Sequence, residues 1–137
     1  GTEAEVNALK SFGTNFGMTF QLIDDAIDYS SNKKILGKNT GDDFKEGKIT
    51  LPIILAYGRS NDKEKKFWER TISDLNQNDG DFEMALEIIN KYQCIEDTLT
   101  RANHFSNVAV DSVDIFKDNI YKEKLVSLVS KSVSRIY

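Results

Sequence analysis

At 137 residues and a formal net charge of −4, the chain is long enough for one domain, or for part of a larger one, and too acidic for a general nucleic-acid surface. No apolar run approaches the roughly 18 residues of a membrane-spanning helix, and the single cysteine, Cys94, has no partner for an internal disulfide. We therefore expect a protein of the reducing cytoplasm, with no transmembrane segment and no nucleic-acid partner.

The apolar residues recur at helical spacing throughout the chain, and no sustained alternation of period two occurs. The long first helix is entered through Thr2 and Glu5, a hydroxyl and a glutamate at the spacing of a capping box. Residues 33–49 are polar and rich in glycine, which predicts a long ordered loop. Helices are predicted over 3–31, over 51–57 ending at Gly58, over 61–78, and over three segments that begin near residues 82, 105 and 118. The expected fold is all-α with about six helices.

The first helix carries an acidic cluster, Asp24-Asp25-x-x-Asp28, among apolar residues. On a helix, Gln21, Asp24 and Asp28 fall within roughly 60° of one another, and Asp25 points about 100° away from Asp24. A helix that is apolar on most of its circumference is usually buried, so the carboxylates are expected to line an internal cleft. Since buried like charges are costly, a divalent cation is the expected partner, and Asp24 and Asp28 would suit Mg²⁺ shared with phosphate. The alternative interpretation is that the three aspartates lie on a solvated helix face and bind no metal.

Lysines follow the acidic cluster at once. Residues 31–50 contain five lysines against three acids, so positive charge comes directly after negative charge. Lys38 and Lys48 are flexible point charges suited to binding phosphate, while Gly41 and Gly47 would let the backbone approach a ligand or adopt positive φ. Taken singly, each lysine is equally compatible with simple solvation. The order of charges is that of a metal-and-phosphate site.

Three stretches occur in order: Phe20-Gln21-x-x-Asp24-Asp25-x-x-Asp28, Gly37-Lys38-x-x-Gly41-x-Asp43 and Gly47-Lys48-x-Thr50-Leu51-Pro52. Together they resemble the second aspartate-rich motif and the following loop of the trans-isoprenyl diphosphate synthases, over some thirty positions. The residues of these stretches are most similar to those of bacterial synthases of the octaprenyl or heptaprenyl type. The resemblance implies the all-α isoprenoid synthase fold, and a homodimer that condenses an allylic diphosphate with isopentenyl diphosphate with the help of Mg²⁺.

The resemblance also implies roles for individual residues. Asp24 resembles the direct Mg²⁺ ligand of the motif, Asp28 a ligand that binds directly or through water, and Asp25 a supporting acid. Roles in substrate binding fall on four further positions: Gln21, Lys38 and Lys48 match contacts to the allylic substrate, and Asp43 matches an acid that orients a lysine or a metal-bound water. His104 is expected to be structural or on the surface, and Tyr29 either to line the pocket or to pack in the core.

Other elements of the family pattern have no counterpart in residues 1–137, namely the first aspartate-rich motif, its adjacent arginines and the Lys-Thr pair between the motifs. We therefore expect residues 1–137 to be the C-terminal half of a single synthase domain, with negligible turnover alone. Two other hypotheses remain: a non-catalytic partner subunit that modulates a complete synthase, and a metal-binding helical module unrelated to prenyl chemistry. A terpene cyclase fits less well, because the Gly-Lys loop ending in Thr-Leu-Pro is typical of elongating synthases.

Overall fold

The computed structural model describes residues 2–30, 41–116 and 118–134, and all regular secondary structure in these ranges is helical. The helices are α1 (Glu3–Ile27), α2 (Asp42–Glu46), α3 (Leu51–Arg59), α4 (Asp62–Trp68), α5 (Asp81–Lys91), α6 (Cys94–Ser112) and α7 (Ile120–Ser134), and a π-helical turn (Glu69–Ser73) continues α4. The all-α prediction is confirmed, with seven α-helices in the described ranges in place of six. None of these helices is long and apolar enough to span a membrane.

Capping boxes begin two of the helices. At α1, the Glu5 N–H donates to Thr2 Oγ1 at 3.1 Å and the Thr2 N–H donates to Glu5 Oε1 at 3.3 Å, which confirms the predicted start. At α4, the Glu64 N–H and Asn61 Oδ1 are 2.9 Å apart, and the Asn61 N–H returns a bond of 2.9 Å to the Glu64 carboxylate. Each box satisfies two backbone donors that helix formation would otherwise leave open.

α1 ends at Ile27, earlier than predicted, and Asp28 lies in the turn that follows. The Asp28 N–H still bonds to the Asp24 carbonyl at 3.3 Å, as in a helix. The next two N–H groups, those of Tyr29 and Ser30, bond to carbonyls only three residues back, at 3.2 and 3.0 Å. Shorter spacing of this kind commonly tightens the last turn of a helix. The motif therefore spans a helix end.

The predicted loop over 33–49 contains a short helix, α2, between two glycines in the left-handed conformation. Gly41 precedes it with φ 94° and Gly47 follows it with φ 66°, which confirms the positive φ predicted for both. A Cβ on Gly41 would lie 3.1 Å from the ring of Phe82, and one on Gly47 would lie 2.5 Å from Leu75 Cδ2. Both positions therefore require glycine. Residues 31–40 lie outside the described residues.

α3 continues through Gly58 to Arg59, so the prediction that Gly58 ends this helix is wrong. Glycine costs only about 1 kcal/mol in a helix interior, which neighbouring contacts readily offset. Here the Arg59 guanidinium donates to the Tyr92 carbonyl at 2.7 Å and pairs with Asp97. The helix then ends at Ser60, whose N–H bonds three residues back at 3.2 Å.

The helix predicted over 61–78 ends at Ser73, at the close of the π-helical turn. The Asp74 N–H bonds to the Glu69 carbonyl, five residues back, at 3.0 Å. Leu75 then adopts φ 53°, a left-handed conformation that a helix cannot continue through. Residues 76–80, before α5, therefore lie outside any helix.

The chain divides into two compact units, Gly1–Ile23 with Leu99–Tyr137, and Asp24–Thr98. The buried core of the first unit contains Phe12, Ala109, Val113 and Val129. The larger core of the second unit draws on every helix from α2 to α5 and on the ends of α1 and α6: Tyr29, Phe44, Ile53, Ala56, Trp68, Ile72, Ala85, Ile88, Ile89 and Cys94. Burial raises the pKa of the Cys94 thiol to about 11, consistent with an inert core cysteine. His104 is exposed on α6, as predicted.

In the first unit, the prediction that α1 is buried on most of its circumference is wrong. Four large apolar side chains are between 42% and 49% exposed: Val6, Leu9, Met18 and Phe20. Phe12 and Thr19 face the core of this unit, and Thr19 Oγ1 donates to the Ala102 carbonyl at 3.3 Å. A Cβ on Gly13 or Gly17 of the same helix would have no atom within 4 Å.

Candidate active site

The end of α1 and the turn after it place the aspartates of the motif in the second unit, two of them with almost no exposed surface. Asp25 is 6% exposed and Asp28 0%, and their apolar neighbours Ala26 and Ile27 are buried as well. Asp24 is half-buried. The predicted interior position is therefore confirmed for Asp25 and Asp28, and holds in part for Asp24. Buried carboxylates are rare unless hydrogen bonds, cations or metals compensate their charge.

α2 brings a fourth acid, Asp43, to this cluster. The Asp43 N–H donates to Asp28 Oδ2 at 2.8 Å in buried surroundings, across 15 positions of sequence. The Gly41 N–H donates to the carbonyl of the same Asp28 at 3.1 Å. Asp43 is itself only 9% exposed. The start of α2 and the end of α1 are thus joined through one aspartate.

The hydroxyl group of Tyr29 reports the electrostatic character of this region. Burial, followed by the negative charges of Asp43, Asp28 and Asp25, raises the pKa of Tyr29 well above its ordinary value. The side chain is 1% exposed, its ring centroid lies 6.4 Å from that of Phe82, and its hydroxyl makes no hydrogen bond within the described residues. Tyr29 therefore packs in the core and also borders the acidic cluster. Burial is the larger cause of this shift, and the three carboxylates add to it.

Of the three residues predicted to contact the substrate, Lys48 is the one placed beside the cluster. It follows α2 and is exposed, and its N–H donates to the Asp43 carbonyl at 2.9 Å. Lys38 lies outside the described residues. Gln21 is exposed and belongs to the first unit. The roles of all three stay predictions.

The donor set fits a magnesium ion shared with a diphosphate. Within residues 2–30, 41–116 and 118–134, no three His, Cys, Asp or Glu side chains are grouped so as to hold a metal ion by themselves. Mg²⁺ does not require such a group, because it usually keeps several waters and takes one or two carboxylates together with substrate phosphates. Asp24 is the most accessible aspartate of the motif and is the one suited to this arrangement.

Two features of the site were not predicted from the motif. One is the hydrogen bond from Asp43 to Asp28, and the other is the packing of Phe82, from α5, against the ring of Tyr29. The Phe82 ring centroid lies 5.7 Å from that of Phe44, in addition to its contact with Tyr29. The glycine at position 41 indicates that another group packs closely against the backbone there. The sequence does not identify that group as the Phe82 ring.

The family comparison settles what kind of protein carries this arrangement. A family model described as polyprenyl synthetase matches residues 1–89, which include the whole acidic cluster, α2 and Lys48. The chain belongs to the polyprenyl synthetase family. The predicted resemblance is thereby confirmed at the level of the family.

Individual relatives agree. The chain is 37% identical over 137 residues to the octaprenyl diphosphate synthase of Haemophilus influenzae, covering 100% of this chain and 41% of that protein. A decaprenyl diphosphate synthase from Rhodobacter capsulatus matches 100% of this chain and 42% of its own, with 34% identity and a TM-score of 0.93. Polyprenyl synthase from Caulobacter crescentus, complexed with calcium and isoprenyl diphosphate, matches 98% of this chain and 41% of its own, with 41% identity and a TM-score of 0.88. The isoprenoid synthase helical fold is confirmed, and the chain spans about two fifths of the length of these relatives.

Proposed function

We propose that the chain supplies one aspartate-rich, diphosphate-binding face of a trans-polyprenyl diphosphate synthase. The enzyme would condense an allylic diphosphate with isopentenyl diphosphate, with Mg²⁺ as its metal and a homodimer as its assembly. The observation that carries this proposal is the burial of Asp25, Asp28 and Asp43 around Tyr29 in a member of the polyprenyl synthetase family. Carboxylate oxygens gathered in this way are of the kind that Mg²⁺ prefers as ligands.

In the proposed reaction, the bond between the allylic carbon and the diphosphate oxygen breaks, and its electron pair leaves with the diphosphate. The π electrons of the isopentenyl double bond then form the new carbon–carbon bond to the allylic cation, and loss of a proton restores a double bond. Bound Mg²⁺ would offset the charge that develops on the departing diphosphate. The protein must keep water from the allylic cation, which an apolar cleft favours.

The three motif aspartates would take different parts because their accessibility differs. Asp24, which is half-buried, would hold the ion directly. Asp28 has no exposed surface and would meet the ion through water, while Asp25, at 6% exposure, would add negative charge behind it. Protein carboxylates placed behind a direct ligand commonly tune its orientation and affinity.

The cationic and polar residues would bind the substrate itself. Lys48, exposed beside α2, would hold the diphosphate together with Lys38, and Gln21 would contact the allylic substrate. Asp43 would orient one of the lysines or a metal-bound water. Lysine suits this task because its ammonium group is a compact charge on a flexible stem.

The Caulobacter crescentus relative supports the pairing of cation and diphosphate. It was crystallised with calcium and isoprenyl diphosphate, and it is 41% identical over a match that covers 98% of this chain and 41% of that protein. Ca²⁺ and Mg²⁺ both prefer oxygen ligands, although Mg²⁺ demands a more regular geometry.

The proposal is tested by calorimetric titration of the chain with inorganic diphosphate, with and without Mg²⁺. We expect diphosphate to bind only when Mg²⁺ is present, and we expect Asp24→Asn to weaken this binding by roughly 10- to 100-fold. Asp79→Asn, an exposed acid in the turn before α5, is the matched control and should bind like the unmodified chain. Equal binding by Asp24→Asn would contradict the assignment. Mg²⁺ binding that is indifferent to diphosphate would favour the metal-binding module instead.

A further inference from the structure

The structure assigns Asp28 a positioning role: it holds the start of α2, and with it Asp43, against the end of α1, in place of serving as a direct metal ligand. We propose this from two hydrogen bonds and from burial, independently of any metal. The inference rests on the proposed function in one respect only, since the groups that it positions are those proposed to bind diphosphate.

Asp28 is bonded to α2 through both its side chain and its backbone. Its Oδ2 accepts the Asp43 N–H at 2.8 Å, and its carbonyl accepts the Gly41 N–H at 3.1 Å. With 0% of its surface exposed, it is poorly placed to bind an ion directly. The Oδ2 atom of this carboxylate is therefore already committed to the start of α2.

α2 needs this bond because it cannot be capped in the ordinary way. The first N–H groups of a helix have no partner within the helix, and a Ser, Thr, Asp or Asn at the N-cap usually supplies one. The N-cap of α2 is Gly41, which makes no side-chain cap. Its φ of 94° and the Phe82 ring, 3.1 Å from where a Cβ would stand, exclude a capping side chain there. Asp28 provides the missing acceptor from another part of the chain.

The bond between Asp28 and α2 also affects the residues that are proposed to bind the substrate. Asp43 is the second residue of this helix, and its carbonyl in turn accepts the Lys48 N–H at 2.9 Å. A shift of the start of α2 is therefore passed to Asp43 and to the backbone of Lys48. Asp28 would act on the site through these residues.

Asparagine and alanine at position 28 separate the two roles. Asp28→Asn keeps an oxygen that can accept the Asp43 N–H and removes the charge, whereas Asp28→Ala removes both. The amide exchange rate of Asp43, measured by NMR in the whole chain with the Ala109 amide in α6 as internal reference, reads the bond directly. We expect exchange to accelerate by roughly tenfold or more in Asp28→Ala and to change by less than about threefold in Asp28→Asn.

Titration with Mg²⁺ and inorganic diphosphate then separates positioning from ligation. We expect Asp28→Asn to bind roughly tenfold more tightly than Asp28→Ala, because the conservative variant restores the position of α2. Unchanged Asp43 exchange in Asp28→Ala would overturn the inference, and so would equally weak binding by both variants with the Asp43 amide still protected.

Two further outcomes are decisive as well. If Asp28→Ala does not fold, Asp28→Asn alone decides: a protected Asp43 amide supports the positioning role, and an unprotected one overturns it. If the unmodified chain binds no diphosphate, the proposed function fails, while the exchange rates still test the bond between Asp28 and α2.

Discussion

Two regions of the second unit place their acidic side chains in different surroundings. In the paired region, formed by Glu64, Asp81 and their partners around α4 and α5, each acid has its own donors. Asp81 accepts from the Arg70 guanidinium at 2.8 and 3.0 Å and from the Asn78 N–H at 2.7 Å. These bonds lower the pKa of Asp81 below its ordinary value, and the bond from Arg70 has the largest effect. Charge in this region is balanced within the chain.

In the acidic region, formed by Asp24, Asp25, Asp28 and Asp43, three of the four acids are buried where the end of α1 meets α2. Their effect is visible on Tyr29, whose pKa is raised by burial and then by three of these carboxylates. Like charges held together cost stability, and they raise the affinity for any cation that can enter. Under the proposed function, the contrast separates acids that stabilise the fold from acids that bind the metal and its diphosphate. The predictions below, from the largest expected effect to the smallest, test this distinction.

Gly47 lies where α2 of the acidic region meets the π-helical turn next to the paired region. A Cβ there would stand 2.5 Å from Leu75 Cδ2 and 2.8 Å from the Ile72 carbonyl oxygen, at a φ of 66°. We expect Gly47→Ala to lower the free energy of unfolding in urea by about 3 kcal/mol or more, from backbone strain and overpacking together.

Gly58→Ala is the matched control for this glycine. Its Cβ would meet nothing within 4 Å in the interior of α3, so a gain of about 0.5 to 1 kcal/mol is expected. Equal stability of the two variants would mean that α2 is not seated against the π-helical turn, and the two regions would then be less closely connected than described.

Asp81→Asn tests whether the paired region is purely structural. Loss of the carboxylate weakens the bonds from Arg70 and Asn78, so the free energy of unfolding should fall by about 1 to 2 kcal/mol. Binding of Mg²⁺ with diphosphate, measured by calorimetry, should be unchanged. Asp24→Asn should show the reverse, with binding weakened by roughly 10- to 100-fold and stability kept. If Asp81→Asn weakened binding as much as Asp24→Asn, the distinction between the regions would fail.

The sequence predicted the elements that follow from local pattern and from the motif. Helical spacing predicted an all-α chain, and the capping box fixed the start of α1. The apolar surroundings of Asp25 and Asp28 predicted their burial. Each of these depends on neighbours within a few positions, which is why sequence alone was sufficient.

The errors depend on contacts between distant residues. α2 was missed because a five-residue helix has almost no periodicity, and because its cap, Asp28, comes from another element. Burial of α1 was overestimated because an apolar helix face does not reveal which residues, if any, cover it. The sequence pattern of α1 therefore does not distinguish Leu9 and Phe20, which are exposed, from Phe12, which is buried.

Glu64 gives the smallest expected effect, a change in how stability depends on pH. Its carboxylate accepts from the Tyr92 hydroxyl at 2.6 Å, the Asn61 N–H at 2.9 Å and Lys91 Nζ at 3.0 Å. These bonds, led by that from Tyr92, lower the pKa of Glu64 from 4.5 to about 2. A carboxyl group whose pKa is lower in the folded state stabilises the fold above its unfolded pKa, and this contribution is lost as the pH falls toward the folded value.

Glu64→Gln should therefore melt below the unmodified chain near neutral pH, and the difference should shrink as the pH falls from about 5 toward 2. Melting temperatures from circular dichroism at several pH values measure it. Glu87→Gln, an exposed acid on α5, serves as control and should follow the unmodified chain throughout. A difference that stayed constant down to about pH 3 would assign the stabilisation to the shape of the Glu64 side chain, and the paired region would then owe less to charge than the contrast with the acidic region requires.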